Sequence, residues 1–397
     1  MTATPKSELD ARARKLQALL AQSDLDGALI VQNADLFYFA GTIQQAHLYI
    51  PREGKPLLLA RKSFPRAQAE SALERIAPLT SLRDLPRLFG DAGYAPPRRL
   101  GLELDVLPAN TYLGYQQIFR ACELRDASPL IRTVRAIKSP HELAAIRRAA
   151  KIGATTLRAM RALLVEGIRE IELAGKLEAV ARAAGHQGLI KFRAWNNEMF
   201  YGHLMAGRRA AMPSYLASPT GGAGTSPAFS QSASHRKIRC GEPVLFDYVF
   251  AAGGYLADQT RIFALGSLSP KLLRAHAAML EIQAAVADAA QPGITGDALY
   301  ALAVERAHQA GYAENFGGLG MDRVSFIGHG VGLELDEYPI LAKGQTTPLA
   351  AGMVIAIEPK VSFAGIGTVG IENTFVVTAR GGKRLTCGSD EIEIIEK

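Results

Sequence analysis

Four carboxylates and one imidazole stand out in the latter part of this 397-residue chain. Asp247 sits in PVLFDYVF, Asp258 in LADQTRIF, His329 in FIGHGVGLELDEYP, Glu358 in VIAIEPK and Glu372 in VGIENTFVV. Each acidic residue interrupts or ends an apolar, β-branched run of the kind that forms a buried strand. A lone Asp or Glu at a strand end is usually solvated or salt-bridged, and a lone His is more often a hydrogen-bonded core residue. The joint pattern decides otherwise, because four carboxylates buried together are costly unless cations neutralise them. Two divalent ions carry four positive charges, so the pattern predicts a dinuclear metal site. Oxygen-dominated ligation with one imidazole suits Mn first, with Co, Zn or Fe as alternatives. Two such ions can share a hydroxide, lower its pKa and polarise a carbonyl. That is the chemistry of hydrolytic attack on an amide or amidine-like carbon, with Glu358 also handling the proton of the attacking water.

These residues need elements to hold them. Asp247 and Asp258 are eleven apart with Gly253-Gly254 between them, which predicts a hairpin carrying both carboxylates on one face. Thr260 or Arg261 is expected to support the ligands. Gly328 and Gly330 flank His329 and allow close backbone approach, and Pro359 favours an extended Glu358. From residue 324 onward, strand-like runs alternate with glycine turns, as in an antiparallel sheet. Helices are expected over 169–184, 270–290 and GITGDALYALAVERAHQAG. Another begins at Ser139-Pro140, where Ser139 is the N-cap and Glu142 its capping-box partner. Ahead of it, helix 8–22, strands GALIVQ and PLLLA, helix FPRAQAESALERI and strand RRLGLEL alternate, which predicts an α/β domain. The domains are accordingly 1–135 and 136–397. The Gly/Ser/Pro-rich stretch 192–235 is long for an unstructured loop, and its TGGAG phrase is a weak candidate for an anion-binding turn.

Composition excludes several classes. The net charge of +7 is spread, with 18 Lys/Arg against 14 Asp/Glu in residues 1–135 and 27 against 24 in the remainder, so nucleic acid is not an expected partner. No segment approaches the roughly 18 apolar residues of a membrane span, and no signal peptide is evident. Cys122, Cys240 and Cys387 lack metal-ligand spacing and are expected to be free thiols in a reducing compartment, which points to the cytoplasm.

In the order of its five ligands the chain resembles the creatinase, aminopeptidase P and prolidase family. That order is Asp, a second Asp about ten residues on, a GHGxG histidine, the Glu of an EP phrase and the Glu of an IEN phrase. VRAIKSPHELAAIRRAAKI resembles the segment joining the two domains in those enzymes. The resemblance implies a creatinase-type amino-terminal α/β domain followed by a pita-bread catalytic domain with a curved antiparallel sheet. It further implies that Asp258 and Glu372 bridge two ions, that Asp247 completes one, and that His329 and Glu358 serve the other. A homodimer is implied by the resemblance alone.

Two positions depart from the family. Its peptidases carry a histidine in a GxRSALPH-like phrase, where GRRAAMPS has Ser214. They carry another seven residues beyond the metal histidine, where this chain has Asp336. His203 and His235 are candidate replacements from the neighbouring loop. Asp336 and His203 are therefore taken with Glu358 as catalytic candidates, and Ser214 and His235 as substrate-binding ones. The expected function is cleavage of an Xaa-Pro or related C–N bond in a small peptide. The alternatives are a creatinase-like hydrolase or lyase acting on a small molecule, and a catalytically idle pita-bread binding module.

Overall fold

The computed structural model describes residues 3–396. Contacts divide the chain into two compact units, one ending at Arg135 and the other beginning at Ala136. In the first unit, strands β1 (Gly27–Ile30), β2 (Ala46–Pro51), β3 (Leu57–Ala60), β4 (Arg75–Pro78), β5 (Arg99–Leu102) and β6 (Glu123–Asp126) form a mixed sheet in the order β4-β3-β2-β1-β5-β6. The β1–β2 and β2–β3 pairs are antiparallel, and β1–β5, β5–β6 and β3–β4 are parallel. Leu29, Tyr49, Leu59, Leu100 and Leu102 project from this sheet into a core with Phe89 and Phe119. One expected helix is corrected here. FPRAQAESALERI is helical only over Phe64–Glu70, and Arg75–Pro78 pairs with β3 instead. Pairing with Leu57–Ala60 outweighs the helical spacing of the segment.

The second unit opens with the helix Pro140–Leu163. Ser139 Oγ accepts from the Glu142 backbone N–H and the Glu142 carboxylate from the Ser139 N–H, the capping box read from the sequence. Such a cap contributes about 1 kcal/mol. The helix lies on β8 (Val244–Ala252) and β9 (Tyr255–Leu265), which form a sheet with β7 (Gly202–Ala206) and β17 (Glu393–Ile395) in the order β17-β9-β8-β7. Gly153 makes that contact possible, since a Cβ there would sit 2.6 Å from Gln259 Nε2 and 2.8 Å from Phe250 Cδ2.

A second, antiparallel sheet contains β10 (Phe326–Val331), β11 (Leu335–Ala342), β12 (Val354–Ile357), β15 (Asn373–Thr378) and β16 (Gly381–Arg384), in the order β11-β10-β12-β15-β16. The hairpin β13 (Lys360–Phe363) and β14 (Gly367–Gly370) lies between β12 and β15 in the chain. The helices Pro270–Ala289 and Gly296–Gln309 bury Met279, Ile282, Val286 and Leu299 in one core with Ile355, Ile357, Phe375 and Val377 of the sheet. This is the two-domain α/β architecture, with a pita-bread-like second domain, that the sequence predicts. Among the described residues, no helix is long and apolar enough to cross a membrane.

Candidate metal centre

Asp247 and Asp258 come from one hairpin. In the β8–β9 register Asp247 faces Thr260 and Val249 faces Asp258, so Asp247, Thr260 and Asp258 share a face. Gly253 (φ +60°) and Gly254 (φ +89°) supply the left-handed backbone that the tight turn requires. On the other side of β8, His203 of β7 pairs with Asp247.

His329 lies on β10, opposite Ala356 of β12. A Cβ on Gly328 would lie 2.0 Å from the Ala356 carbonyl oxygen, and one on Gly330 would lie 2.4 Å from the Glu337 and Tyr338 carbonyl oxygens. Only glycines let both neighbouring strands close around the histidine. Glu358 follows β12 directly and Glu372 precedes β15. The Thr260 N–H donates to the Glu372 carbonyl at 3.2 Å, which ties the two sheets together at the site. Thr260 Oγ1 donates to Glu372 Oε2 at 3.0 Å, and the buried Arg261 guanidinium holds the Glu372 carbonyl oxygen at 2.9 Å.

The five residues converge. His329 Nε2 is 3.4 Å from Glu358 Oε1 and 3.8 Å from both Asp258 Oδ2 and Glu372 Oε1. Asp258, His329 and Glu372 are buried, and each offers a ligand atom within 4.8 Å of the others. Asp258 Oδ1 and Glu372 Oε1 are buried without a hydrogen-bond partner. Such oxygens are strongly destabilising unless a cation satisfies them. Burial, and then the neighbouring carboxylates, push the Asp258 pKa well above the usual range; burial and Glu358 raise that of Glu372 to about 8. Two buried carboxylates that resist ionisation beside an imidazole form a donor set that fits a divalent ion.

The remaining oxygens face a residue that the ligand pattern did not reveal. Lys360 is 1 % exposed, and its Nζ donates to Glu358 Oε2 at 2.8 Å and Glu372 Oε2 at 2.9 Å, with Asp247 Oδ2 at 3.2 Å. Burial works against its charge, but the three carboxylates overcome this and hold its pKa well above that of an ordinary lysine. The Asp247 carboxyl is likewise kept below the usual range by Lys360 and His203 despite its burial. The sequence did contain a signal for Lys360. It stands two residues after Glu358 in VIAIEPKVSF, and residues two apart on extended chain point to the same side.

The other candidates separate clearly. Asp336 and His203 line the same cleft as the carboxylates. Asp336 has a left-handed backbone (φ +61°) and sets Oδ1 3.5 Å from His329 Nδ1, beside the metal-type histidine. His203 is buried, with Nδ1 2.9 Å from Thr220 Oγ1 and Nε2 3.3 Å from Gln231 Oε1, and burial lowers its pKa. Neither Ser214 nor His235 is brought to the cleft. The Ser214 hydroxyl accepts from the Leu216 N–H in a local turn, and His235 is exposed. The TGGAG phrase is a packing turn. The Gly222 N–H donates to the Met212 carbonyl and the Gly224 N–H to the Ser232 carbonyl, so neither faces an anion. The three cysteines are free thiols.

Comparison with known proteins agrees with this geometry. The model for metallopeptidase family M24 matches residues 144–379, and that for the creatinase/prolidase N-terminal domain matches residues 12–137. The chain is 27% identical over 377 residues to an Xaa-Pro dipeptidase of Pyrococcus furiosus, covering 94% of this chain and 97% of the relative. The structure of an Xaa-Pro dipeptidase from Bacillus anthracis superposes with a TM-score of 0.82 at 25% identity, over 97% of this chain and 99% of that one. The prolidase from Pyrococcus horikoshii does so with a TM-score of 0.79 at 26% identity, over 96% and 99%. The family match spans more than half of the sequence and includes the whole buried Asp/His/Glu group; the chain belongs to metallopeptidase family M24 and is a metal-dependent peptidase.

Proposed function

We propose that this peptidase cleaves short peptides at an Xaa-Pro bond. The observation that carries the reading is the convergence of Asp258, His329, Glu358 and Glu372 in one cleft with apolar walls. Phe192, Leu216, Phe326 and Leu335 line that cleft, and such apolar walls suit a proline ring. The Xaa-Pro dipeptidases that the chain matches from end to end support the same substrate class.

A bound divalent ion would polarise the scissile carbonyl and make water acidic enough to attack at neutral pH. Asp258, His329, Glu358 and Glu372 are the residues that would hold it. Glu358 is buried at the cleft and takes the proton of the attacking water. His329 Nδ1–H donates to the Gly330 carbonyl oxygen at 3.2 Å, which fixes the ring, and Asp336 adds a carboxylate oxygen 3.5 Å from the same nitrogen. His203 has both ring nitrogens engaged and forms a fixed wall beside Asp247.

One observation favours a second reading, a small-molecule C–N hydrolase or lyase. Asp336 is a carboxylate and Ser214 lies outside the cleft, so neither is the histidine that the family's peptidases carry at those positions. A panel of Xaa-Pro dipeptides, Xaa-Pro tripeptides and non-proline controls, run with metal-loaded protein, separates the readings. Cleavage restricted to Xaa-Pro bonds and reduced roughly 100-fold or more in Glu358→Gln supports the peptidase reading. Absence of cleavage by folded, metal-loaded protein would move the assignment to the second.

A further inference from the structure

We infer that the centre holds a single divalent ion, and that the Lys360 ammonium stands where a second would need to bind. The inference rests on the reading of this centre as a metal site, and on geometry that splits it in two. Glu358 and Glu372 each turn one oxygen to either side. Their Oε1 atoms, with the Asp258 carboxylate, gather around His329 Nε2 at 3.4–3.8 Å. Their Oε2 atoms, with Asp247 Oδ2, are all within 3.2 Å of Lys360 Nζ. A divalent ion such as zinc binds carboxylate oxygens at about 2.0–2.2 Å. An ion on the Asp247 side would have to share the same three oxygens with the ammonium, almost in contact with it. The two cations exclude each other by size and by charge. The His329 side is the reverse case, for there Glu372 Oε1 is buried without a hydrogen-bond partner.

Lys360 is built into this position. It opens β13 opposite Gly370 of β14. A Cβ on Gly370 would lie 2.6 Å from Lys360 Cα and 2.8 Å from Cγ, so the missing side chain makes room for the lysine stem. The Lys360 carbonyl accepts from the Gly317 N–H at 2.9 Å, which anchors the strand from its other edge. Asp247 thus pairs with Lys360 Nζ at 3.2 Å rather than serving as a metal ligand.

The test is metal content and spectroscopy of the full chain, read without substrate. After loading with Mn and removal of excess, wild-type protein is expected to retain one ion per chain and to give the electron paramagnetic resonance signal of isolated Mn. Lys360→Ala is expected to retain two ions and to give an exchange-coupled signal. Two retained ions or a coupled pair in the wild type would overturn the inference, and so would no retained ion. A folded Lys360→Ala that still holds only one ion would refute Lys360 as the excluding group. Should that variant fail to fold, the wild-type ratio and spectrum still decide. Neither readout depends on the substrate, so a failed peptide panel and a failed single-ion assignment are distinguishable.

Discussion

The turn that follows His329 is held by a buried ion pair whose worth can be measured. Lys138 Nζ lies 3.0 Å from Glu337 Oε2, with side-chain exposures of 0% and 7%. Glu337 Oε1 accepts from the backbone N–H groups of Leu333 and Glu334 at 2.8 and 3.0 Å. Gly332 is glycine for the same reason, since a Cβ there would lie 2.4 Å from Glu337 Oε2. Lys138→Met leaves a buried carboxylate without this cation, and Glu337→Gln leaves a buried ammonium without this anion. Removing one partner of a buried pair costs about 3–5 kcal/mol. At roughly 2–4 °C per kcal/mol for a unit of this size, each single variant should melt about 6–20 °C lower. The double variant removes both charges, so its loss should fall short of the sum of the singles by at least about 1–3 kcal/mol. Calorimetric melting and urea unfolding of the four proteins give the cycle. Because Glu337 braces the turn that carries Asp336, the single variants should also lose metal more readily on dialysis. Singles costing under about 1 kcal/mol, or a double equal to their sum, would refute the argument that buried charge compensation holds this turn.

Two further outcomes follow from the same geometry. Gly328→Ala should destabilise the catalytic unit by about 1–3 kcal/mol and lower bound metal, because the added methyl meets the Ala356 backbone, which has no rotamer to yield; wild-type melting and metal content would contradict this. In the first unit, burial and then Arg61 lower the pKa of His47 from 6.5 to about 4. The folded state thus favours the neutral ring, and this stabilisation is complete above pH 6.5 and lost as pH falls towards 4. It amounts to roughly 3 kcal/mol. His47→Gln should flatten the dependence of the urea midpoint on pH across that window; an unchanged slope would show that other groups set it.

Much of this protein is legible in local sequence because the causes are local. Gly253-Gly254 needs only its own backbone to make a hairpin, and Ser139, Pro140 and Glu142 cap a helix within four residues. The presence of a metal site was also legible, since buried carboxylates have few affordable environments and their types alone restrict the choice. Tertiary structure decided the rest. The segment 71–78 leaves its helical pattern because β3 offers a parallel partner, a contact that no local period reports. Ser214 and His235 were plausible by position, but only the path of the loop shows that they lie outside the cleft, while His203 and Asp336 lie in it. Above all, the sequence supports a count of four carboxylates but not the direction of each oxygen. Lys360, two residues from Glu358, meets three of those carboxylates only because β8, β12 and the start of β15 fold onto one another. The same set of side chains can hold different numbers of ions, and that choice is made by packing over distances the sequence does not express.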